Sequence, residues 1–305
     1  MSRRGWALFS AMCVIWGIPY LLIKVAVDVL NPVTLVFLRT GVGALILLPL
    51  AQRRGGLRPL LTHWRLVLLY TVVEVGIPWL LLSDAETRLS SSLAGMLVAA
   101  VPLVGLALSV ASGGSEQFGV RRVAGLLCGL VGVGVLLGFD VHAGDVRAVM
   151  EMAVVTVGYA VGPMLIARQL RELPAMGVIA ASLGITTLVY LPLALTNLPA
   201  AVPPARVFLS LAILGVVCTA AAFVVFFALI NEVGPVRATV ITYVNPAVAV
   251  LLGVALLGER FTATTAIGFV LILGGSILAT GRTRRSNAPV VEAPLADGEV
   301  EPLHG

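Results

Sequence analysis

The stretch Val236–Gly281 reads VRATVITYVNPAVAVLLGVALLGERFTATTAIGFVLILGGSILATG. It contains two apolar runs on either side of a short polar break, Gly258-Glu259-Arg260-Phe261. Each run approaches the ~20 residues that an α-helix needs to cross ~30 Å of hydrocarbon. The stretch therefore predicts a hairpin of two transmembrane helices.

An earlier stretch, Leu93–Gly138, repeats this hairpin. The matched positions are Pro102 with Pro246 at a separation of 144, and Glu116 with Glu259, Gly125 with Gly268 and Gly132 with Gly275 at 143. Further matches are Pro19 with Pro163 at 144 and Pro49 with Pro192 at 143. Self-similarity at a fixed offset indicates an internal duplication.

The composition indicates a polytopic membrane protein. Of 305 residues, 59% are hydrophobic and 11% are charged, whereas about a quarter of the residues of a soluble domain are charged. We predict an all-α membrane protein with ten transmembrane helices. Their bounds are 6–26, 32–51, 65–83, 93–111, 121–138, 147–167, 176–196, 207–230, 237–257 and 262–281.

The duplication divides these helices into two five-helix repeats, residues 6–138 and 147–281. Because five is odd, the second repeat enters the membrane from the side opposite to the first, so the repeats are inverted. Inverted repeats are typical of secondary transporters. Residues 286–305 contain four acidic residues and no Lys or Arg, which predicts a disordered acidic tail.

The distribution of Lys and Arg predicts the orientation. If the N-terminus is cytoplasmic, fourteen Lys and Arg residues fall on the cytoplasmic side and five on the other, with Arg39 inside a span. Positive residues collect in cytoplasmic loops, so both termini are predicted to be cytoplasmic. The net charge of +5 is then a sign of topology, and no nucleic-acid partner is expected.

Several short motifs occur in a fixed order along both halves. They are Trp16-Gly17, Asn31-Pro32 with Phe37-Leu38-Arg39, Val101-Pro102-Leu103 with the later Glu116, Gly125 and Gly132, and Asn245-Pro246-Ala247 with Gly258-Glu259-Arg260, Gly268 and Gly275. With these motifs the chain resembles ten-helix members of the drug/metabolite transporter superfamily that carry two EamA-like repeats. The resemblance implies a carrier of the bacterial inner membrane, usually an exporter of small metabolites such as amino acids. The repeats differ where Ser115-Glu116 stands against Gly258-Glu259, and Arg39 has no counterpart, since a small residue lies near Ser182.

Two ionisable residues fall inside predicted spans. Glu74 lies near the centre of the third span and Arg39 about seven residues into the second. A charge facing lipid costs ~3 kcal/mol or more, so each should face a partner or the transport pathway. Their depths are similar, which favours an Arg39–Glu74 charge pair. The alternative is that Glu74 binds a proton or the amine of a substrate.

Other polar-tipped residues within spans are candidates for lining the pathway. With Glu74, these candidates are Trp16, Tyr20, Trp79, Tyr159, Tyr243 and Asn245. For the aromatic residues, core packing or an interfacial position is an equal alternative. Prolines within spans free a backbone carbonyl and kink the helix. The candidate kinks or hinges are Pro19, Pro78, Pro102, Pro163 and Pro246.

Gly125, Gly129 and Gly132 form a small-residue face on the fifth span, which Gly268 and Gly275 repeat on the tenth. Such faces allow close helix packing.

The expected partners are a small-molecule solute, the lipid bilayer and, in a coupled mechanism, protons. The sequence contains no nucleotide-binding loop, no grouped metal ligands and no nucleophile beside a base, so we expect no cofactor, no metal and no enzyme activity. An uncoupled facilitator of the same fold remains open, and a membrane enzyme is the weaker alternative. Substrate, coupling ion, direction and oligomeric state are left open by the sequence.

Overall fold

The computed structural model describes residues 1–111, 120–140, 145–238 and 240–280, in which helices joined by short loops are the regular structure and no strand occurs. The α-helices are α1 Arg3–Ile15, α2 Pro19–Val27, α3 Pro32–Arg53, α4 Trp64–Tyr70, α5 Ile77–Ala85, α6 Ser91–Val98, α7 Val101–Ala111, α8 Val120–Asp140, α9 Val146–Arg168, α10 Ala175–Thr196, α11 Ala205–Ala212, α12 Ala222–Val233, α13 Pro235–Ala238, α14 Ile241–Leu257 and α15 Ala263–Thr280. A 3₁₀ turn covers Arg58–His63, and π-helical segments cover Thr71–Gly76 and Ile213–Ala221.

These helices assemble into ten apolar spans. In the described residues, nine continuous helical stretches are long enough to cross a membrane, and α14 is a shorter tenth. Span 1 is α1 with α2, span 3 runs from Arg58 to Ala85, span 4 is α6 with α7, span 8 runs from Ala205 to Val233, and span 9 is α13 with α14. The remaining spans are single helices. The predicted all-α fold with ten transmembrane helices is confirmed.

The packing of the spans follows the internal duplication. Three pairs of equivalent spans pack on each other: α3 on α10, α6 on α14, and α8 on α15. Span 3 packs on span 6 through α5 and α9, and the equivalent pair, span 8 and span 1, packs through α12 and α1. Each of these four contacts is thus either its own counterpart or has a counterpart in the other repeat, as two inverted copies require.

The glycine faces bring α8 and α15 into backbone contact. A Cβ added to Gly275 would lie 2.6 Å from the carbonyl oxygen of Gly125, and one added to Gly132 would lie 2.8 Å from that of Gly268. The close packing predicted from the glycine spacing is confirmed.

The prolines divide into two groups. Pro19 is the first residue of α2 and Pro102 the second residue of α7, directly after breaks in spans 1 and 4, and Pro78 is the second residue of α5, after a π-helical segment. Pro163 and Pro246, the repeat partners of Pro19 and Pro102, lie inside the continuous helices α9 and α14. Equivalent prolines therefore have different backbone surroundings in the two repeats.

Side chains connect the spans at both ends of the molecule. At the end that carries the N-terminus, called here the Ser2 end, the Ser2 hydroxyl donates to Glu232 at 2.5 Å, and Arg4 lies 3.9 Å from the same carboxylate. At the opposite, Glu259 end, Asp84, Arg88, Arg147 and Glu151 form a four-residue ion network with N–O distances of 2.7 to 2.9 Å. Arg4 and Arg147 are 143 positions apart, so these two contacts are repeat equivalents.

The apolar core consists of two clusters of buried residues. The helices α1, α12, α13 and α14 contribute to a separate cluster built on Met12, Cys13, Ala222, Leu229, Ala238 and Ile241. Most of the other buried apolar residues form one larger cluster that includes the Glu259 end. The predicted tail 286–305 and Glu116, the predicted counterpart of Glu259, lie outside the described residues.

Candidate functional site

A buried arginine lies at the meeting point of spans 2, 3 and 8. The side chain of Arg39, on α3, donates from Nε to the hydroxyl of Thr219 at 3.1 Å, and its guanidinium carbon lies 3.8 Å from the ring centroid of Trp79. Trp79 is 7% exposed and Arg39 is 6% exposed. A guanidinium over an indole face gains a cation–π interaction that is strengthened by desolvation. The two η nitrogens make no hydrogen bond with the described residues.

Thr219 reaches Arg39 because span 8 changes to a π-helical segment at Ile213–Ala221. The equivalent span 3 has a π-helical segment at Thr71–Gly76, and there the Thr71 hydroxyl lies 2.9 Å from the hydroxyl of Ser182. Ser182 is the residue 143 positions after Arg39. The contact between spans 2 and 8 thus has an equivalent between spans 7 and 3. In the first contact the threonine hydroxyl meets the cation Arg39, and in the second it meets the neutral hydroxyl of Ser182.

Glu74 lies on the π-helical segment of span 3 and does not pair with Arg39 in this structure. Its Oε2 atom is buried and has no hydrogen-bond partner among the described residues. Its carboxylate packs against the backbone of Gly162 on α9, in the space that a Cβ there would occupy. The charge pair predicted from similar depths is not formed, because Arg39 faces span 8 and Glu74 faces span 6.

Two phenols and a second carboxylate lie near Arg39. Tyr20 on α2 and Tyr159 on α9 both interact electrostatically with Arg39 and with Glu86, which directly follows α5. Glu86 is 0% exposed, and neither of its carboxylate oxygens has a hydrogen-bond partner among the described residues. We call Tyr20, Arg39, Trp79, Glu86, Tyr159 and Thr219 the central polar cluster. The structure brings four of the predicted residues into it: Tyr20, Arg39, Trp79 and Tyr159.

Trp16 and Asn245 lie beside each other at the break in span 1. With its amide nitrogen turned inward, Asn245 donates to the carbonyl oxygens of Ile241 at 3.0 Å and Cys13 at 3.1 Å. A Cβ added to Gly17 would lie 3.0 Å from the carbonyl oxygen of Asn245, so the break rests directly on α14. Trp16 packs on Phe226, with ring centroids 4.7 Å apart.

Tyr243 lies apart from the central polar cluster. Its hydroxyl lies 2.5 Å from the hydroxyl of Thr280 on α15, the helix that packs on α8. Tyr243 is therefore the predicted pathway residue whose hydroxyl is bound by span 10, the span that packs on span 5.

At the Glu259 end, polar contacts join neighbouring spans, one set between the repeats and one within the first repeat. Glu259 accepts hydrogen bonds from the backbone N–H groups of Ser91 at 2.7 Å and Ser92 at 2.9 Å, so it caps α6. Lys24 on α2 donates to the carbonyl oxygens of Glu86 at 2.7 Å and Leu89 at 2.9 Å. Capping of this kind satisfies backbone groups that a helix end leaves open. Glu259 therefore not only lies in the polar break predicted from the sequence but also caps a helix of the other repeat.

Sequence reasoning missed Glu86 and Thr219. Thr219 could have been found as a hydroxyl inside a strongly apolar span. Glu86 carries no such signal, because it belongs to the polar break after span 3 and only the fold shows that it turns inward. In the described part of the chain, no three His, Cys, Asp or Glu residues are grouped so that they could hold a metal ion.

The arrangement can bind a polar solute, because a desolvated guanidinium with open donors lies near two phenols and a buried carboxyl, with groups from both repeats. Such polar groups within spans mark substrate or ion pathways. The pathway and hinge assignments of individual residues stay predictions.

Comparison with known proteins agrees with this picture. The model of the EamA-like transporter family matches residues 3–138 and 147–281. The chain is 28% identical to the uncharacterized inner membrane transporter YedA of Escherichia coli K12, over 97% of this chain and 96% of YedA. The YedA proteins of strains O6:H1 and O157:H7 match with the same identity and coverage.

A solved structure described as "Crystal structure of protein" has a TM-score of 0.64 and 22% identity, over 92% of this chain and 97% of that one. At this identity the likeness concerns the fold. The two family matches together cover almost all of the spans described above. The chain therefore belongs to the EamA-like transporter family and is a multi-pass membrane transporter.

Proposed function

We propose that the chain is a secondary transporter that exports small organic solutes, such as amino acids or drug-like compounds, by alternating access. Both termini are cytoplasmic, so the Glu259 end faces the periplasm. The family match and the likeness to an inner membrane transporter support a solute carrier. The distribution of Lys and Arg supports the orientation.

The observation that carries alternating access is the difference between equivalent prolines. Pro19 and Pro102 each follow a break in the helix, while Pro163 and Pro246 lie in continuous helices. In an inverted-repeat transporter, the two halves exchange conformations when the accessible side changes. In the opposite state, the breaks are expected at Pro163 and Pro246, and spans 1 and 4 are expected to straighten.

Arg39 is proposed to bind the carboxylate or another polar acceptor of the solute. Its side chain is positioned by Thr219 and Trp79, and its η nitrogens remain available for a planar, two-point contact. Arginine suits such contacts because its donors form a rigid fork. Tyr20 and Tyr159 would contribute aromatic surface and hydroxyl groups to the same solute.

The test is solute counterflow into proteoliposomes with a panel of amino acids, organic amines and carboxylates. We expect at least one panel solute to be carried, and Arg39→Gln to reduce its flux about tenfold or more, the effect of losing ~1.5–3 kcal/mol of charged hydrogen bonding. Arg65→Gln is the matched control, since Arg65 also lies over a tryptophan, Trp64, but is exposed. Unchanged flux in Arg39→Gln would remove Arg39 from the pathway.

Direction and coupling need separate arms of the same assay. An exporter accumulates solute in inside-out vesicles, and a proton-coupled one does so only with a pH gradient. An uncoupled facilitator of the same fold equilibrates the solute with or without the gradient. Accumulation in right-side-out vesicles alone would contradict export.

A further inference from the structure

Glu86 is a buried carboxyl without a hydrogen-bond partner. It follows α5 in the connection between spans 3 and 4, its residue is 0% exposed, and both carboxylate oxygens lack a partner among the described residues. Burying an unpaired charge is so costly that the group takes up a proton instead. Consistent with its position, burial raises the pKa of the Glu86 carboxyl well above its usual range.

The cations near Glu86 are already held by other groups. Lys24 lowers the pKa of Glu86, but its ammonium group is bound to the carbonyl oxygens of Glu86 and Leu89 rather than to the carboxylate. Arg39 is held by Thr219 and Trp79. Neither cation lies within ion-pair distance of the carboxylate, so neither fully offsets its charge.

The remaining titratable groups near Glu86 favour its neutral form or are neutral themselves. Glu259 is held at the start of α6, and its proximity raises the pKa of Glu86 further. The phenols of Tyr20 and Tyr159 are the other titratable groups that interact with Glu86. With Lys24 on α2 and Arg39 on α3, these are the groups that face Glu86 from the elements around it.

We propose that Glu86 is a proton-binding site and that its protonation permits closure of the Glu259 end. This inference rests on the proposed alternating access, and it names Glu86 as the residue through which pH affects that process. In the closed state, the carboxyl is neutral and buried beneath the contacts of Lys24 and Glu259. When that end opens, water reaches the carboxyl, and its proton passes to solvent on that side. Closure takes one proton back from the same solvent onto a carboxylate oxygen.

The sign of the pH effect follows from this exchange. Because the closed state binds the Glu86 proton more tightly than the open state, closure is favoured at acidic pH and weakens as pH rises through the pKa of the closed state. Glu86→Gln keeps the shape of the side chain without the titration, so it keeps the Glu259 end closed at every pH. Removing a buried ionisable group in this way need not destabilise the fold.

The first experiment measures labelling of Leu89→Cys by a membrane-impermeant maleimide, in a chain whose native cysteines have been replaced. Leu89 is 3% exposed and its carbonyl oxygen accepts a hydrogen bond from Lys24 at the Glu259 end, whereas Thr87 is exposed. Thr87→Cys therefore corrects for the ionisation of the thiol itself. We expect the corrected labelling of Leu89→Cys to rise with pH, and adding Glu86→Gln to abolish that rise. A rise that persists with Glu86→Gln overturns the proposal.

The second experiment needs no introduced cysteine. Infrared difference spectra of the purified protein, recorded between acidic and alkaline pH, should show the carbonyl band of a protonated carboxyl that disappears in Glu86→Gln. Glu172→Gln, at an exposed position, should keep the band. If the band is absent in the unmodified protein, or is lost in Glu74→Gln and kept in Glu86→Gln, Glu86 is not the proton site.

The two proposals fail separately. If no panel solute is carried but the band and the labelling depend on Glu86, the proton site stands and the proposed function fails. If solutes are carried but neither measurement depends on Glu86, the transport proposal stands and the proton site fails.

Discussion

Single residues decide the chemistry of this protein, and Arg39 is the clearest case. Its presence inside an apolar span could be predicted, and so could the need for a partner. The identity of that partner could not, because depth in the membrane says nothing about which way a side chain faces. The π-helical segment at Thr71–Gly76 turns Glu74 toward α9, and the one at Ile213–Ala221 brings Thr219 to Arg39.

Arg39→Lys tests whether the planar guanidinium matters beyond its charge. Lysine keeps the positive charge but loses the fork and the stacking on Trp79. We expect transport of the carried solute to fall about tenfold, as for the loss of ~1.4 kcal/mol, with a small decrease in melting temperature. Counterflow and thermal denaturation of the purified variant measure the two effects. Full activity in Arg39→Lys would show that charge alone is sufficient.

Gly162→Ala tests the close contact between spans 3 and 6. The added methyl group would occupy the position of the Glu74 carboxylate. Overpacking of this kind costs about 1–3 kcal/mol, and we expect a lower melting temperature. Combining Gly162→Ala with Glu74→Ala should restore most of the lost stability, because the carboxylate that clashes with the added methyl group is then absent. If the double variant is no more stable than Gly162→Ala, the added methyl group does not clash with the Glu74 side chain.

At the scale of helices, the pairing of α8 with α15 shows what sequence spacing can predict. Glycines at helical spacing on both spans indicated a close contact, and the two backbones do touch. The breaks and the π-helical segments were less accessible. Every residue of the segment Thr71–Gly76 is compatible with an ordinary helix, so its change in hydrogen bonding depends on the packing of neighbouring spans.

Gly275→Ala and Gly274→Ala form a matched pair on α15. An added Cβ at Gly275 would lie 2.6 Å from the Gly125 carbonyl oxygen, while at Gly274 it would meet nothing within 4 Å. We expect Gly275→Ala to lower stability by about 1–3 kcal/mol, and Gly274→Ala to be neutral or to gain up to ~1 kcal/mol of helix propensity. Thermal denaturation in detergent compares them. Equal stability of the two variants would contradict the observed helix contact.

At the scale of the whole molecule, the apolar runs predicted ten spans, and the duplication predicted their division into two inverted repeats. It did not predict that the two copies differ, since equivalent prolines give no reason for one helix to break and the other to continue. Glu86 also belongs to this scale. It lies in a polar connection to which Lys24 on α2 and Glu259 from the other repeat also bind, and only the assembled fold shows that it is fully buried.

The central claim is that the two ends of the molecule open alternately. Distances between spin labels test it directly, in a chain without native cysteines, with one exposed pair at each end: Thr62→Cys with Asn231→Cys at the Ser2 end, and Thr87→Cys with Ala205→Cys at the Glu259 end. Each pair should give a shorter and a longer distance, and raising the pH should shift the two pairs in opposite directions. Distances that stay single at both ends, or that lengthen together, would contradict alternating access.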